Sequence, residues 1–153
     1  MARTRGLLDA VRTAASGAFV TDTAPLIFRI ERRAHSPLVR ACDPLFDAVE
    51  QGDLSCVVGA VSVAEALVMP LRSGPQALVA VDSFLRQPAV AVGNVTEPIA
   101  RVGADLLASG VIGRLADALV VATAYDLGLP LVTADRRLAR SGVVEALLVQ
   151  DFA

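Results

Sequence analysis

Leu115-Ala-Asp-Ala-Leu-Val-Val-Ala-Thr-Ala-Tyr-Asp-Leu-Gly-Leu-Pro-Leu-Val-Thr-Ala-Asp-Arg-Arg137 is the stretch on which the fold turns. Its first half, Leu115–Leu127, is rich in Ala and Leu and carries an acid in its first turn. It then meets Gly128, the residue type that most readily closes a helix in the left-handed conformation. Leu129–Thr133 is short and apolar, as expected of a strand buried on both faces. Asp135 follows at once and opens a short helix to Ser141. A helix that is apolar on nearly every side, a glycine, a buried strand and then an acid describe the middle of a layered α/β domain.

Outward from this stretch the same alternation repeats. Residues 4–15 read as a helix ended by Ser16-Gly17, and Ala18–Thr21 as a short buried strand. Thr23 can cap a helix that has Pro25 in its first turn and runs to Arg33. His35-Ser36-Pro37 breaks the chain, and a second helix follows to Gln51-Gly52, with Asp43-Pro44 as a point for a bend. Ser55–Val61 is β-branched and reads as a strand, with Ser62 capping the helix behind it. Residues 75–86 form a helix, Ala89–Val95 a strand, and Glu97–Ser109 a helix capped by Thr96 and closed by Gly110. Ala146–Val149 is the last strand. Strands separated by helices pair in parallel, so the expected architecture is a three-layer α/β/α domain around a mostly parallel sheet of four to five strands. Residues 1–17 are expected to be a helical extension and residues 18–153 a single domain.

Composition narrows the functions. The chain has 153 residues, enough for a core without staples, and its hydrophobic fraction of 54% favours dense packing and an apolar surface for self-association. No apolar run reaches membrane-spanning length, and the basic N-terminus lacks an apolar segment after it, so neither a membrane span nor a signal peptide is expected. Two cysteines, Cys42 and Cys56, are too few for a disulfide framework and lack zinc-site spacing, which fits a reducing cytoplasm. The net charge of −2 provides no global field for nucleic acid. All fourteen basic residues are Arg, however, and Arg is the better bidentate phosphate ligand. No glycine-rich nucleotide motif occurs, and the single histidine, His35, offers no support for a triad or a histidine zinc site.

Four acids stand alone in apolar sequence: Asp22, Glu65, Asp117 and Asp135. Each has an ordinary explanation. Asp22 and Asp135 sit where helix caps belong, Asp117 suits a helix dipole, and Glu65 follows Ser62 at capping-box spacing. Yet three of them follow a predicted strand, and sites in parallel sheets form at the carboxyl ends of strands. Isolated carboxylates in a core need a partner, and a shared divalent cation satisfies all four at once. The expectation is a metal-dependent hydrolase of phosphate esters, with Thr133 either orienting a carboxylate or a water or filling the core.

These residues also carry a resemblance. Thr21-Asp22-Thr23 before an apolar helix resembles the opening of a PIN domain. Val61-Ser-Val-Ala-Glu-Ala-Leu-Val resembles its second motif, the Leu115–Tyr125 segment its third, and Leu131-Val-Thr-Ala-Asp-Arg-Arg-Leu its fourth. Order and spacing match over about residues 18–150. The compact size is most similar to VapC-type toxins of prokaryotic toxin–antitoxin pairs. The resemblance implies a Mg²⁺- or Mn²⁺-dependent endoribonuclease with Asp22, Glu65, Asp117 and Asp135 as catalytic, metal-binding acids. It also implies a homodimer inhibited by a VapB-type antitoxin whose tail covers the site. Residues 1–17 depart from the family pattern, in which the first strand starts almost at the N-terminus.

An RNA substrate needs cations around the acids. Arg114, Arg136 and Arg137 lie beside the motifs, and Arg29, Arg32 and Arg33 follow the first one. Aromatic content of 4% argues against a broad stacking platform. Two competing classes remain at this level: a non-catalytic PIN-like module that binds RNA or protein, and a phosphatase of another α/β fold. The second lacks the Asp expected two residues after Asp22, where Ala24 stands.

Overall fold

The computed structural model describes residues 5–15, 17–32 and 36–153. The predicted helix start at Thr4, Ser16 of its stop, the expected end of the next helix at Arg33 and His35 of the break after it lie outside the described residues. Five parallel strands form the centre: β1 (Ala18–Thr21), β2 (Ser55–Gly59), β3 (Val90–Gly93), β4 (Leu131–Thr133) and β5 (Ala146–Leu148). Their spatial order is β3-β2-β1-β4-β5. The helices are α1 (Leu7–Ala14), α2 (Thr23–Glu31), α3 (Pro37–Glu50), α4 (Ala60–Ser73), α5 (Pro75–Leu85), α6 (Glu97–Ala108), α7 (Leu115–Leu127) and α8 (Arg136–Ala139). A 3-10 turn over Val149–Phe152 ends the chain. The architecture is the expected α/β/α sandwich, with a sheet that is parallel throughout.

The central strands β1 and β4 are buried on both faces because their side chains alternate between two cores, whereas the edge strand β3 leaves Val92 exposed. Phe19, Cys56, Val58 and Val132 join one core, beneath α1, α3 and the 3-10 turn. Val20, Val57 and Leu131 join the other, beneath α6 and α7. Phe46 of α3 anchors the first core, with edge-on contacts to Phe19 and Phe84. Helix α7 is the centre of the second, with Val120, Val121, Ala122 and Ala124 all buried. Leu7 and Val11 of α1 are fully buried in the first core, so this N-terminal helix packs as part of the domain.

The order 3-2-1-4-5 puts a topological switch between β1 and β4. From β1 the chain winds outward through β2 and β3, then returns to the other side of β1 as β4. Helices leaving β1 and β4 diverge there, which opens a crevice at the carboxyl ends of the two strands. Thr21 pairs with Val132 in this register, and the Asp22 amide donates to the Val132 carbonyl at 2.9 Å. Asp22 and Thr133 are therefore brought face to face at the mouth of the crevice.

Three local expectations are corrected. β2 stops at Gly59, which takes the N-cap position of α4, so Ser62 lies inside the helix. Its hydroxyl is buried without a hydrogen-bond partner, and the capping box read from Ser62 and Glu65 does not form. Helix α2 is capped by Asp22, whose carboxylate accepts from the Thr23 amide, and not by Thr23. Arg29 does not face solvent: it is 6% exposed and reaches Asp43, Asp47 and Glu50 of α3 at 3.4, 2.9 and 2.9 Å.

Candidate active site

Asp22 is held at the end of β1 by two neutral donors. Its Oδ1 accepts from the Thr23 amide at 2.8 Å, and its Oδ2 accepts from the Thr133 hydroxyl at 2.8 Å. Thr133 in turn accepts from the Asp135 amide at 3.0 Å. One buried hydroxyl thus fixes an acid from β1 relative to an acid that follows β4. Glu65 lies in the second turn of α4, and its Oε1 accepts from the Thr23 hydroxyl at 2.8 Å. Thr23 ties the second acid to the first as Thr133 ties the fourth. Asp117 sits in the first turn of α7, where the helix dipole favours a negative charge.

All four acids line one open depression of about 520 Å³, together with Thr23, Arg136, Arg137 and Gln150. Burial pushes the Asp22 carboxyl above the ordinary carboxylate range, and the charges of Asp117 and Glu65 push it further. The Thr133 and Thr23 hydrogen bonds oppose that shift. Asp117 is raised as well, first by burial, then by Asp135 and Glu65, while Arg114 lowers it. Asp117 and Glu65 thus act on Asp22, and Asp135 and Glu65 on Asp117, through their charges. Among the described residues none of the four is in an ion pair.

Local bonds account for part of each acid but not all of it. Asp135 caps α8 through the Arg137 amide at 2.7 Å, as its position after β4 suggested. A carboxylate has about four lone-pair sites, so one or two neutral donors leave capacity on each of the four. Among the described residues no three acids, histidines or cysteines form a ready-made metal cage. The donor set still fits a hard divalent cation: carboxylate oxygens, no competing guanidinium pair and an opening wide enough for water.

The predicted basic residues divide. Arg136 and Arg137 line the acidic depression, whereas Arg114 lines the one next to it, shared with Asp117, Asp135 and Arg137. Arg29 is consumed by its three acids, and Arg33 lies outside the described residues. Two residues were not foreseen in these roles. Thr23 read as a helix cap but binds Glu65. Gln150, from the 3-10 turn, donates to the Ala134 carbonyl at 2.7 Å and so braces the turn between Thr133 and Asp135. A lone Gln close to the C-terminus offers no sequence signal for that task.

A protein-family profile described as "PIN domain" matches residues 20–143. The chain belongs to the PIN domain family. No curated protein matches the sequence. Among solved structures, the PIN domain described here is similar to a chain of VapBC2 from Rickettsia felis, bound to a DNA fragment from its promoter. That likeness has a TM-score of 0.66 and 14% identity and covers 86% of this chain and 98% of that one. It is also similar to a chain of DNA-bound VapBC from Salmonella typhimurium, with a TM-score of 0.65 and 18% identity over 87% and 98% of the two chains. FitAcB from Neisseria gonorrhoeae gives a TM-score of 0.63 and 21% identity over 86% and 98%. At these identities the likeness concerns the fold. The family match begins at residue 20, after α1.

Proposed function

We propose that this PIN domain is a divalent-metal-dependent endoribonuclease of the VapC type, the toxin of a toxin–antitoxin pair. The observation that carries the reading is the single depression onto which four acids without an ion pair open, two of them pushed upward by burial and by neighbouring acids. Crowding of this kind is unfavourable until a cation enters. Asp22, Glu65, Asp117 and Asp135 would hold Mg²⁺ or Mn²⁺. Such an ion supplies a lowered pKa for bound water and stabilises charge on a phosphodiester. The protein's own part is positional: Thr133 and Thr23 fix Asp22 and Glu65, and Gln150 fixes the turn before Asp135. Arg136 and Arg137 at the rim offset the repulsion between RNA and the acids.

Partner binding is part of the proposal. An apolar groove of about 220 Å³ between α2, α4 and α5 adjoins the acids through Glu65, and Ile27, Ile30, Met69 and Val81 line it. It suits an apolar antitoxin segment whose continuation covers the site. The exposed side chains of Met69, Leu71 and Val79 support a homodimer or further partner contact. Among the described residues no helix is long and apolar enough to cross a membrane. Both cysteines are free and buried, which suits the cytoplasm.

The test is cleavage of single-stranded RNA with Mg²⁺ or Mn²⁺ by the wild type, Asp22→Asn and Asp117→Asn. Each variant is expected to keep its circular dichroism spectrum and to lose about a hundredfold or more of the rate. Cleavage by the folded variants at the wild-type rate refutes the assignment. RNA binding by a wild type that never cleaves identifies a non-catalytic module instead.

A further inference from the structure

We infer that the depression between the Gly110–Arg114 loop and α8 seats the nucleotide next to the cleaved bond, in a single unpaired strand; the inference rests on the ribonuclease reading above. The acids have a hollow on each side, and the two hollows differ in chemistry. On the side of α4 and α5 the groove is apolar, and among the described residues its charged lining is Glu31 and Glu65. A phosphodiester entering there would lose hydration and meet the Glu65 carboxylate. On the other side the depression holds about 490 Å³ and shares Asp117, Asp135 and Arg137 with the acidic site, so the two are continuous. Two guanidiniums, Arg114 and Arg137, line it, and neither is in an ion pair among the described residues.

The rest of the lining suits a base. Ile112 and Leu138 are almost fully buried and form an apolar floor, while Val111 is 49% exposed at the rim. Gly110 and Gly113 have open space where a Cβ would stand, so the loop backbone is free to approach a base edge. The volume is in the range of small-ligand sites, about 300–1,000 Å³, which accommodates one nucleotide and not a stacked duplex. No aromatic side chain lines it, so apolar contact and loop hydrogen bonds hold the base in place of stacking. RNA therefore leaves the acids toward α6 and α8, and the apolar groove on the opposite flank stays free for a protein partner.

Val111→Glu tests this. The position is exposed and touches none of the four acids' hydrogen bonds, so folding and the reacting centre are left alone. Two substrates are compared with Mn²⁺ and the full chain: a single-stranded oligoribonucleotide with one cleavage position, and bis(4-nitrophenyl) phosphate, which has neither base nor sugar. The variant is expected to raise KM for the oligonucleotide about tenfold, to keep kcat within about twofold, and to leave diester hydrolysis unchanged. One abasic substitution beside the cleaved bond should reproduce that loss in the wild type and add little in the variant. An unchanged KM, equal slowing of both substrates, or tolerance of abasic substitution at both flanking positions overturns the subsite. Wild-type cleavage of the diester with any of those results removes the subsite alone. Failure of the wild type on both substrates removes the ribonuclease reading and the subsite with it.

Discussion

Replacing Thr133 by Val deletes one hydroxyl while keeping the shape of the side chain. That hydroxyl donates to Asp22 Oδ2 at 2.8 Å, accepts from the Asp135 amide at 3.0 Å and belongs to a residue that is 0% exposed. A hydrogen bond to a charged group is worth about 1.5–3 kcal/mol, and the partly buried Asp135 amide loses its acceptor as well. The expected cost is therefore about 2–3 kcal/mol, which lowers Tm by about 4–12 °C for a domain of this size. The Thr133 bond lowers the pKa of Asp22, so its stabilisation exists above that pKa and is lost as pH falls through it. Urea unfolding with EDTA should then show a larger cost at neutral pH than at about pH 4, near the ordinary carboxylate range. In an Asp22→Asn background the charge is gone, and the Thr133→Val cost should shrink by about 1 kcal/mol. RNA cleavage by Thr133→Val should fall about tenfold to a hundredfold, because both neighbouring acids lose their reference point. A stability cost below about 0.5 kcal/mol, or one independent of pH and of Asp22, refutes the claim that this hydroxyl positions the acids.

Two further predictions follow from the same coordinates. Leu7 is 2% exposed in the first core, so Leu7→Ala should cost about 2–4 kcal/mol in urea unfolding; a cost below about 0.5 kcal/mol would make α1 a detachable addition. Asp22 and Asp117 are raised in the folded chain, so in EDTA the stability they leave intact at low pH should be lost as pH rises through their folded values. Differential scanning calorimetry should show Tm falling with pH in EDTA and recovering with Mn²⁺ at neutral pH; a flat profile that Mn²⁺ does not move would contradict a shared acidic site.

The elements that read well from sequence are those whose ends carry their own chemistry. Helix α7 runs from Leu115 to Leu127 as expected, because Gly128 adopts φ 64° and closes it without help from the rest of the fold. The β2–α4 junction was misjudged because its cause is tertiary. The run Ser55–Val61 is β-branched only at Val57, Val58 and Val61, and the chain leaves the sheet at Gly59, with Ala60 opening α4. Gly93 pairs with Gly59 in register, and a Cβ on Gly93 would meet Val57 Cγ1 at 3.2 Å. Thr123 of α7 lies against both glycines. β4 is likewise shorter than its apolar run. The Leu129 amide closes α7, and Pro130 has no amide to give, although its carbonyl accepts from Val20 at 2.9 Å.

The acids were legible for the opposite reason: a charge without a visible partner is conspicuous in apolar sequence, whatever the fold. A neutral side chain leaves no such mark. Thr23 and Gln150 do positional work only because the start of α2 meets α4 in space and the chain's last turn meets the loop after β4. Arg29 shows the converse hazard. It follows the first acid by seven residues and looked available to RNA, yet three acids of α3 enclose it. The four isolated acids of the sequence keep no cationic partner in space among the described residues, although they meet one another at one depression. An isolated Arg on an amphipathic helix did not stay unpaired, because its long side chain reached a helix that sequence distance had concealed. Arg114 and Arg137 differ from Arg29 in that they come from a loop and a one-turn helix and are in no ion pair among the described residues, although Arg114 stands close enough to Asp117 to lower its pKa.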